Sequence, residues 1–212
     1  MEKKVDPNPG CDTRPRRGAT FPAVIDMRLR PRITRFLEPI GKGLAAVGMT
    51  PTAMTVLGLV VVIAGSVVIA AGALRTGALI VLLGSLLDGL DGAVARASDQ
   101  VTAKGAFLDS AFDRLGEIAA FAGLGVAMAG EPRVMLLIVL AVGGALLVPY
   151  MRARAEADGH DGRGGLMGRA ERILLFSLGL VLGFVEPMLW IFVILVWLTV
   201  VVRFAKTYRS IE

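Results

Sequence analysis

The sequence predicts an all-α integral membrane protein: six transmembrane helices preceded by an N-terminal amphipathic surface helix. Three observations carry that prediction. Of the 212 residues, 55% are hydrophobic and 19% charged, with mean hydropathy +0.68, where a soluble domain carries about 25% charge. Several apolar runs approach the roughly 20 residues a helix needs to cross a bilayer. Finally, the basic residues gather on one side of those runs, as cytoplasmic loops require.

Composition also excludes several classes. Cys11 is the only cysteine, so no disulfide framework exists, and His160 is the only histidine, so a Cys/His zinc site is ruled out. The net charge of +5 is explained by basic cytoplasmic loops, and no nucleic-acid partner is expected.

Along the chain, residues 1–22 are polar and without apolar periodicity, and are expected to form a mobile cytoplasmic tail. They lack the apolar core and cleavage site of a signal peptide. Residues 23–48 form the juxtamembrane amphipathic segment. There Ile33, Phe36, Leu37, Ile40, Leu44 and Val47 recur at helical spacing among Arg28, Arg30, Arg32, Arg35 and Lys42. The pattern suits a helix on the inner membrane surface, bent near Pro39, and equally an ordinary amphipathic packing helix.

Residues 49–209 form the six-helix membrane domain. Thr50 followed by Pro51 reads as an N-cap and first-turn proline. Spans are expected at roughly 51–74, 77–97, 105–129, 132–155, 170–186 and 187–208, with Pro132 and Pro187 opening the fourth and last. Gly58, Gly65 and Gly72, like Gly179 and Gly183, are spaced for close helix approach, within one chain or across a dimer. Of the 23 Lys and Arg, only Arg75 and Arg133 fall in outer loops and Arg114 within a span. Both termini are therefore expected in the cytoplasm, which an even number of spans satisfies.

Carboxylates inside apolar runs are the informative residues. Asp88 and Asp91, three apart, share one face of the second span, and Gly105, Asp109 and Asp113 one face of the third. At roughly 2.5–3.5 kcal/mol each on insertion scales, four buried acids need compensation. Both pairs fall in the cytoplasmic half of their spans, able to face one another across a water-filled pocket. An all-carboxylate set suits Mg²⁺ or Mn²⁺, and two divalent ions would neutralise four negative charges. Arg114 alone cannot do so. Glu117 continues the Asp109–Asp113 face as a polar lining or helix-pairing contact. A divalent-cation transporter would use the same acids, but it calls for polar residues in the outer halves of the spans, which here are apolar.

Small residues at Gly92, Ala93, Ala95 and Gly105 leave room for a ligand near the backbone. Arg96, at the membrane edge, either meets a phosphate or snorkels to the interface. Arg152, Arg154, Arg169 and Arg172 flank a Gly-rich loop. Positive-inside bias explains them as well as a receptor for an anionic substrate does.

The stretch Asp88-Gly-Leu-Asp91-Gly92-Ala-Val-Ala95-Arg96, then eight residues, then Gly105-x3-Asp109-x3-Asp113 resembles the signature of the CDP-alcohol phosphotransferases, over roughly residues 45–207. The resemblance implies a six-helix membrane fold, commonly a homodimer, that transfers a substituted phosphate from a CDP-linked donor to an alcohol and releases CMP. It implies Asp88, Asp91, Asp109 and Asp113 as ligands of two divalent ions, Mg²⁺ or Mn²⁺, with Asp113 also the general base. Gly92, Ala95, Arg96 and Gly105 match positions that hold the cytidine diphosphate, with Pro51 and Thr52 as weaker matches.

The region from Tyr150 through Arg172 is similar to that of actinobacterial members that join CDP-diacylglycerol to inositol 1-phosphate. On that resemblance Arg152, Arg154 and Arg172, with Arg203 a less certain addition, would hold the acceptor phosphate. Members that use glycerol 3-phosphate are the nearest competitor, since that acceptor also carries a phosphate. The expected setting is a bacterial plasma membrane, with the site on the cytoplasmic side and membrane lipid as a partner.

Overall fold

A computed structural model describes residues 30–211, with side chains from residue 38 onward. The expected tail, residues 1–22, and the first residues of the juxtamembrane segment lie outside the described residues. Those described form eight helices and no strand: α1 (Arg30–Ala46), α2 (Pro51–Ala70), α3 (Leu74–Asp88), α4 (Asp91–Ala97), α5 (Ala103–Ala127), α6 (Pro132–Ala157), α7 (Arg169–Leu182) and α8 (Val185–Ser210).

Helix boundaries follow local chemistry. The hydroxyl of Thr50 accepts the Ala53 N–H at 3.2 Å and Pro51 opens α2, as the sequence predicts. Thr102 caps α5 in the same way, accepting the Gly105 N–H at 3.0 Å. α8 starts at Val185 rather than Pro187, which sits in the first turn, where its missing N–H costs nothing. α7 ends at Gly183, whose φ of +79° is a left-handed cap, so this glycine terminates a helix rather than packing one.

The second expected span is not one helix. It breaks at Gly89–Leu90, so that Asp88 closes α3 and Asp91 opens α4. Both break residues keep near-helical backbone angles, and the chain bends without reversing. Taken with α4, α3 is long and apolar enough to cross a membrane, as are α2, α6 and α8. α5 is long enough but carries Asp109, Asp113, Arg114 and Glu117, and α7, with 14 residues, is only about 21 Å long.

Two groups of helices emerge. α2, α3 and α5 pack together and α6 packs on α8, with α7 lying between α3 and α8 and α5 touching α6. Glycines set the first group. A Cβ on Gly65 would lie 2.8 Å from Val81 N, and one on Gly84 2.8 Å from the Gly58 carbonyl oxygen. The spacing of Gly58 and Gly65 therefore serves packing within the chain. Phe121, Phe176 and Phe192, from α5, α7 and α8, meet edge-on with centroids 4.9 and 5.1 Å apart. Side chains pointing outward, such as Val60, Val67, Leu86, Val139, Ile194 and Val201, are apolar and exposed, as a lipid-facing surface demands.

α1 runs through Pro39 and lies on α4. A Cβ on its Gly41 would fall 2.7 Å from the Ala93 carbonyl carbon, so only glycine allows this crossing.

Candidate active site

The bend at Gly89–Leu90 delivers Asp88 and Asp91 to one spot, and the start of α5 brings Asp109 and Asp113 opposite. Asp88, Asp91 and Asp109 each offer a carboxylate oxygen within 4.8 Å of the others. Asp88 is buried, 4% exposed. Gly58 makes room for it, since a Cβ there would lie 2.7 Å from Asp88 Cβ. Asp91 is oriented from both sides: the Thr55 hydroxyl donates to Oδ2 at 2.9 Å, and the Gly92 N–H donates to Oδ1. Thr55 is itself anchored, also sharing its proton with the Pro51 carbonyl at 3.1 Å.

Asp113 stands beside this cluster. Its Oδ1 is 2.6 Å from Arg169 Nη2, which also lies 2.5 Å from Asp88 Oδ2. The approach to Asp113 is out of line for a hydrogen bond, and Oδ1 is buried without another partner. Arg114 Nη1 lies 3.7 Å from Asp113 Oδ2. Three carboxylates converging hard oxygens on one point fit a divalent cation. A narrow cleft leads inward from Asp88 and Asp113 between apolar walls that include Leu59, Val62, Phe112 and Phe176.

The nucleotide candidates surround the same acids. Gly92 and Ala95 lie on α4, and Arg96 curls back so that a Cβ on Gly92 would be 3.3 Å from its Nη1. Gly105 sits in the first turn of α5, its N–H taken by Thr102, while Pro51 and Thr52 begin α2 beneath Thr55.

The four acceptor candidates differ in what they already hold. Arg172 is 2% exposed and grips Glu117 through two hydrogen bonds of 2.6 and 3.1 Å, so Glu117 is a helix-pairing contact. Arg203 donates to the carbonyls of Gly164 at 2.8 Å and Val148 at 2.7 Å. Arg152 and Arg154 each pair with an acid one turn along α6, Glu156 and Asp158, and are half-exposed or more.

Sequence reasoning missed Thr55, which gives no signal, because a lone threonine in an apolar helix ordinarily bonds only its own backbone. It grouped Arg169 with Arg152, Arg154 and Arg172, as positive-inside cations or a receptor for an anionic substrate, and did not pair it with the acids.

The profile of the CDP-alcohol phosphatidyltransferase family matches residues 48–205. The chain belongs to this family of membrane enzymes. An archaetidylinositol phosphate synthase from Pyrococcus horikoshii is 32% identical over 186 residues, covering 87% of this chain and 97% of that protein. A phosphatidylinositol phosphate synthase from Mycobacterium tuberculosis is 37% identical over 155 residues, 71% of each chain. The crystal structure of the M. tuberculosis phosphatidylinositol phosphate synthase with CDP-DAG bound superposes with a TM-score of 0.77 at 30% identity, covering 82% of this chain and 94% of that one. Its complex with manganese and citrate gives 0.75 at 31% identity, over 81% and 88%. The match is to a transferase family, not to a cation carrier.

Proposed function

We propose that the chain transfers the phosphatidyl group of CDP-diacylglycerol to inositol 1-phosphate, giving phosphatidylinositol phosphate and CMP. The observation that carries this reading is the Asp88–Asp91–Asp109 cluster with Asp113 beside it, opening on a cleft that Arg172 also lines. Relatives named for inositol phosphate acceptors support the choice of alcohol.

Asp88, Asp91, Asp109 and Asp113 hold two Mg²⁺ or Mn²⁺ ions. Such ions neutralise the diphosphate and stabilise charge at the transferred phosphorus. Gly92, Ala95, Arg96 and Gly105, with Pro51 and Thr52, receive the cytidine diphosphate. Asp113 takes the proton of the acceptor hydroxyl as its oxygen attacks phosphorus and the bond to CMP breaks. Arg152, Arg154, Arg172 and Arg203 draw the acceptor phosphate to the site, which a free alcohol would not need.

In this reading α5 and α7 also cross the bilayer, making six spans in a bacterial plasma membrane, with both termini and the site on the cytoplasmic side. α1 lies along the inner surface and the enzyme works as a homodimer.

The test is CMP release by purified protein in lipid with Mg²⁺, offering inositol 1-phosphate, free inositol and glycerol 3-phosphate separately. Turnover with inositol 1-phosphate alone is expected. Turnover only with glycerol 3-phosphate would keep the chemistry and overturn the acceptor. The Pyrococcus relative's name makes a CDP-linked archaeal ether lipid the second donor to try.

A further inference from the structure

Arg169 occupies an unusual place. It is the first residue of α7 and follows a loop in which Gly164 and Gly165 take φ of +135° and +94°. From there its Nη2 reaches between Asp88 and Asp113, which belong to two other helices. The acids are nearly inaccessible, with side chains 6% and 10% exposed, while Arg169 is 32% exposed. The guanidinium thus enters the acid cluster from its open rim.

Charge decides whether it can stay. Four ionised acids and Arg169 leave a net charge of −3. Adding two divalent ions would bring the same group to +1, before Arg114 is counted. A buried excess charge is costly, whereas four carboxylates and two ions alone balance. Asp88 is, moreover, a member of both the Arg169 bridge and the three-acid cluster. We infer that Arg169 is the resident counter-cation of the acid cluster, which incoming divalent metal displaces, so that this residue sets the metal affinity of the site. The inference rests on the acids being the metal centre. It makes Arg169 a positioning residue: it holds Asp88 and Asp113 together when metal is absent and withdraws when metal arrives.

Displacement has a thermodynamic signature. A state in which Arg169 occupies the site cannot take metal, and apparent affinity falls by the fraction of molecules so occupied. Removing the guanidinium should therefore tighten metal binding while weakening the metal-free protein.

The experiment follows Mn²⁺ binding to the full chain in lipid nanodiscs by the paramagnetic resonance signal of free Mn²⁺, with thermal unfolding in EDTA and in saturating Mn²⁺. Arg169→Gln should bind Mn²⁺ on the order of tenfold more tightly than wild type. Its unfolding temperature should drop in EDTA and recover with Mn²⁺. Arg169→Lys keeps the charge but loses the fork of donors, and should fall between the two; it carries the test if the glutamine variant does not fold. Unchanged affinity in the folded variants would overturn the inference, because arginine and metal would then use separate oxygens. Weakened affinity would overturn it too, making Arg169 a support for bound metal. If the wild-type chain takes up no Mn²⁺, the metal centre itself fails and the inference with it.

Discussion

At the residue scale, the site divides into acids that act and neighbours that aim them. Asp113 is the proposed base, so Asp113→Asn should lower CMP release by roughly 10²–10⁴-fold. Mn²⁺ binding should weaken in the same variant without being abolished, because Asp88, Asp91 and Asp109 remain, and a resonance titration checks it. Thr55 acts only through Asp91, to which it donates at 2.9 Å. Thr55→Val keeps the shape and removes the donor, so Mn²⁺ affinity should fall by about 10–100-fold with the unfolding temperature little changed. The four acids were legible in the sequence because one arginine, Arg114, cannot compensate four charges inside apolar runs. Thr55 and Arg169 were not, because each makes its decisive contact across dozens of residues of chain. The same holds for Arg172, whose pairing with Glu117 spans 55 positions. Its basic character was visible, but its partner was not.

At the element scale, the helices are placed by close approach more than by length. Gly58 lets α2 lie against Asp88, and a Cβ there would also meet the Asp88 backbone nitrogen at 2.9 Å. Gly58→Val should cost about 1–3 kcal/mol, read as a lower unfolding temperature in detergent, and should reduce metal binding as Asp88 shifts. Gly41→Leu should lift α1 from α4 in the same fashion. Ala93→Gly should not rescue it, since the atoms nearest the added Cβ are the Ala93 carbonyl carbon at 2.7 Å and oxygen at 2.8 Å, which that change leaves in place. CMP release that stays low in the double variant checks that the backbone crossing is what matters.

The loop between α6 and α7 has a weaker tether. Burial raises the pKa of Asp161, but hydrogen bonds from Lys206 and from the Arg163 N–H outweigh it and hold the carboxyl below its usual value. A depressed carboxylate stabilises above its unfolded pKa and loses that contribution as pH falls through the folded one. Amide exchange at Arg163 should therefore stay slow near neutrality and speed up only in acid, relative to an Asp161→Asn control. From the sequence, the starts of α2 and α6 at Pro51 and Pro132 were readable. The bend at Gly89–Leu90 was not, because one glycine inside a helical pattern is tolerated as often as it breaks it.

At the scale of the whole molecule, the proposed topology makes a direct statement about sides. In a Cys11→Ser background, a cysteine introduced by Ser210→Cys should react with an impermeant maleimide only in inside-out vesicles. One introduced by Gly130→Cys, in the turn between α5 and α6, should react only in right-side-out vesicles. Labelling of both from the same side would require an even number of crossings between them and overturn the six-span reading. The all-helical membrane class was legible because hydropathy is a property of whole segments. The grouping of helices was not, since it depends on which glycine faces which.

That grouping has an evolutionary corollary. The acids sit on α3, α4 and α5, while the arginines proposed to meet the acceptor sit on α6, α7 and α8. The two sets of duties thus fall mostly on successive stretches of one gene, meeting along α3–α7 and α5–α6, with Arg169 of α7 reaching back to the acids. Substitutions in the later stretch can explore new alcohols while the earlier stretch conserves the chemistry. A lineage built this way can diversify its head groups without reinventing its reaction.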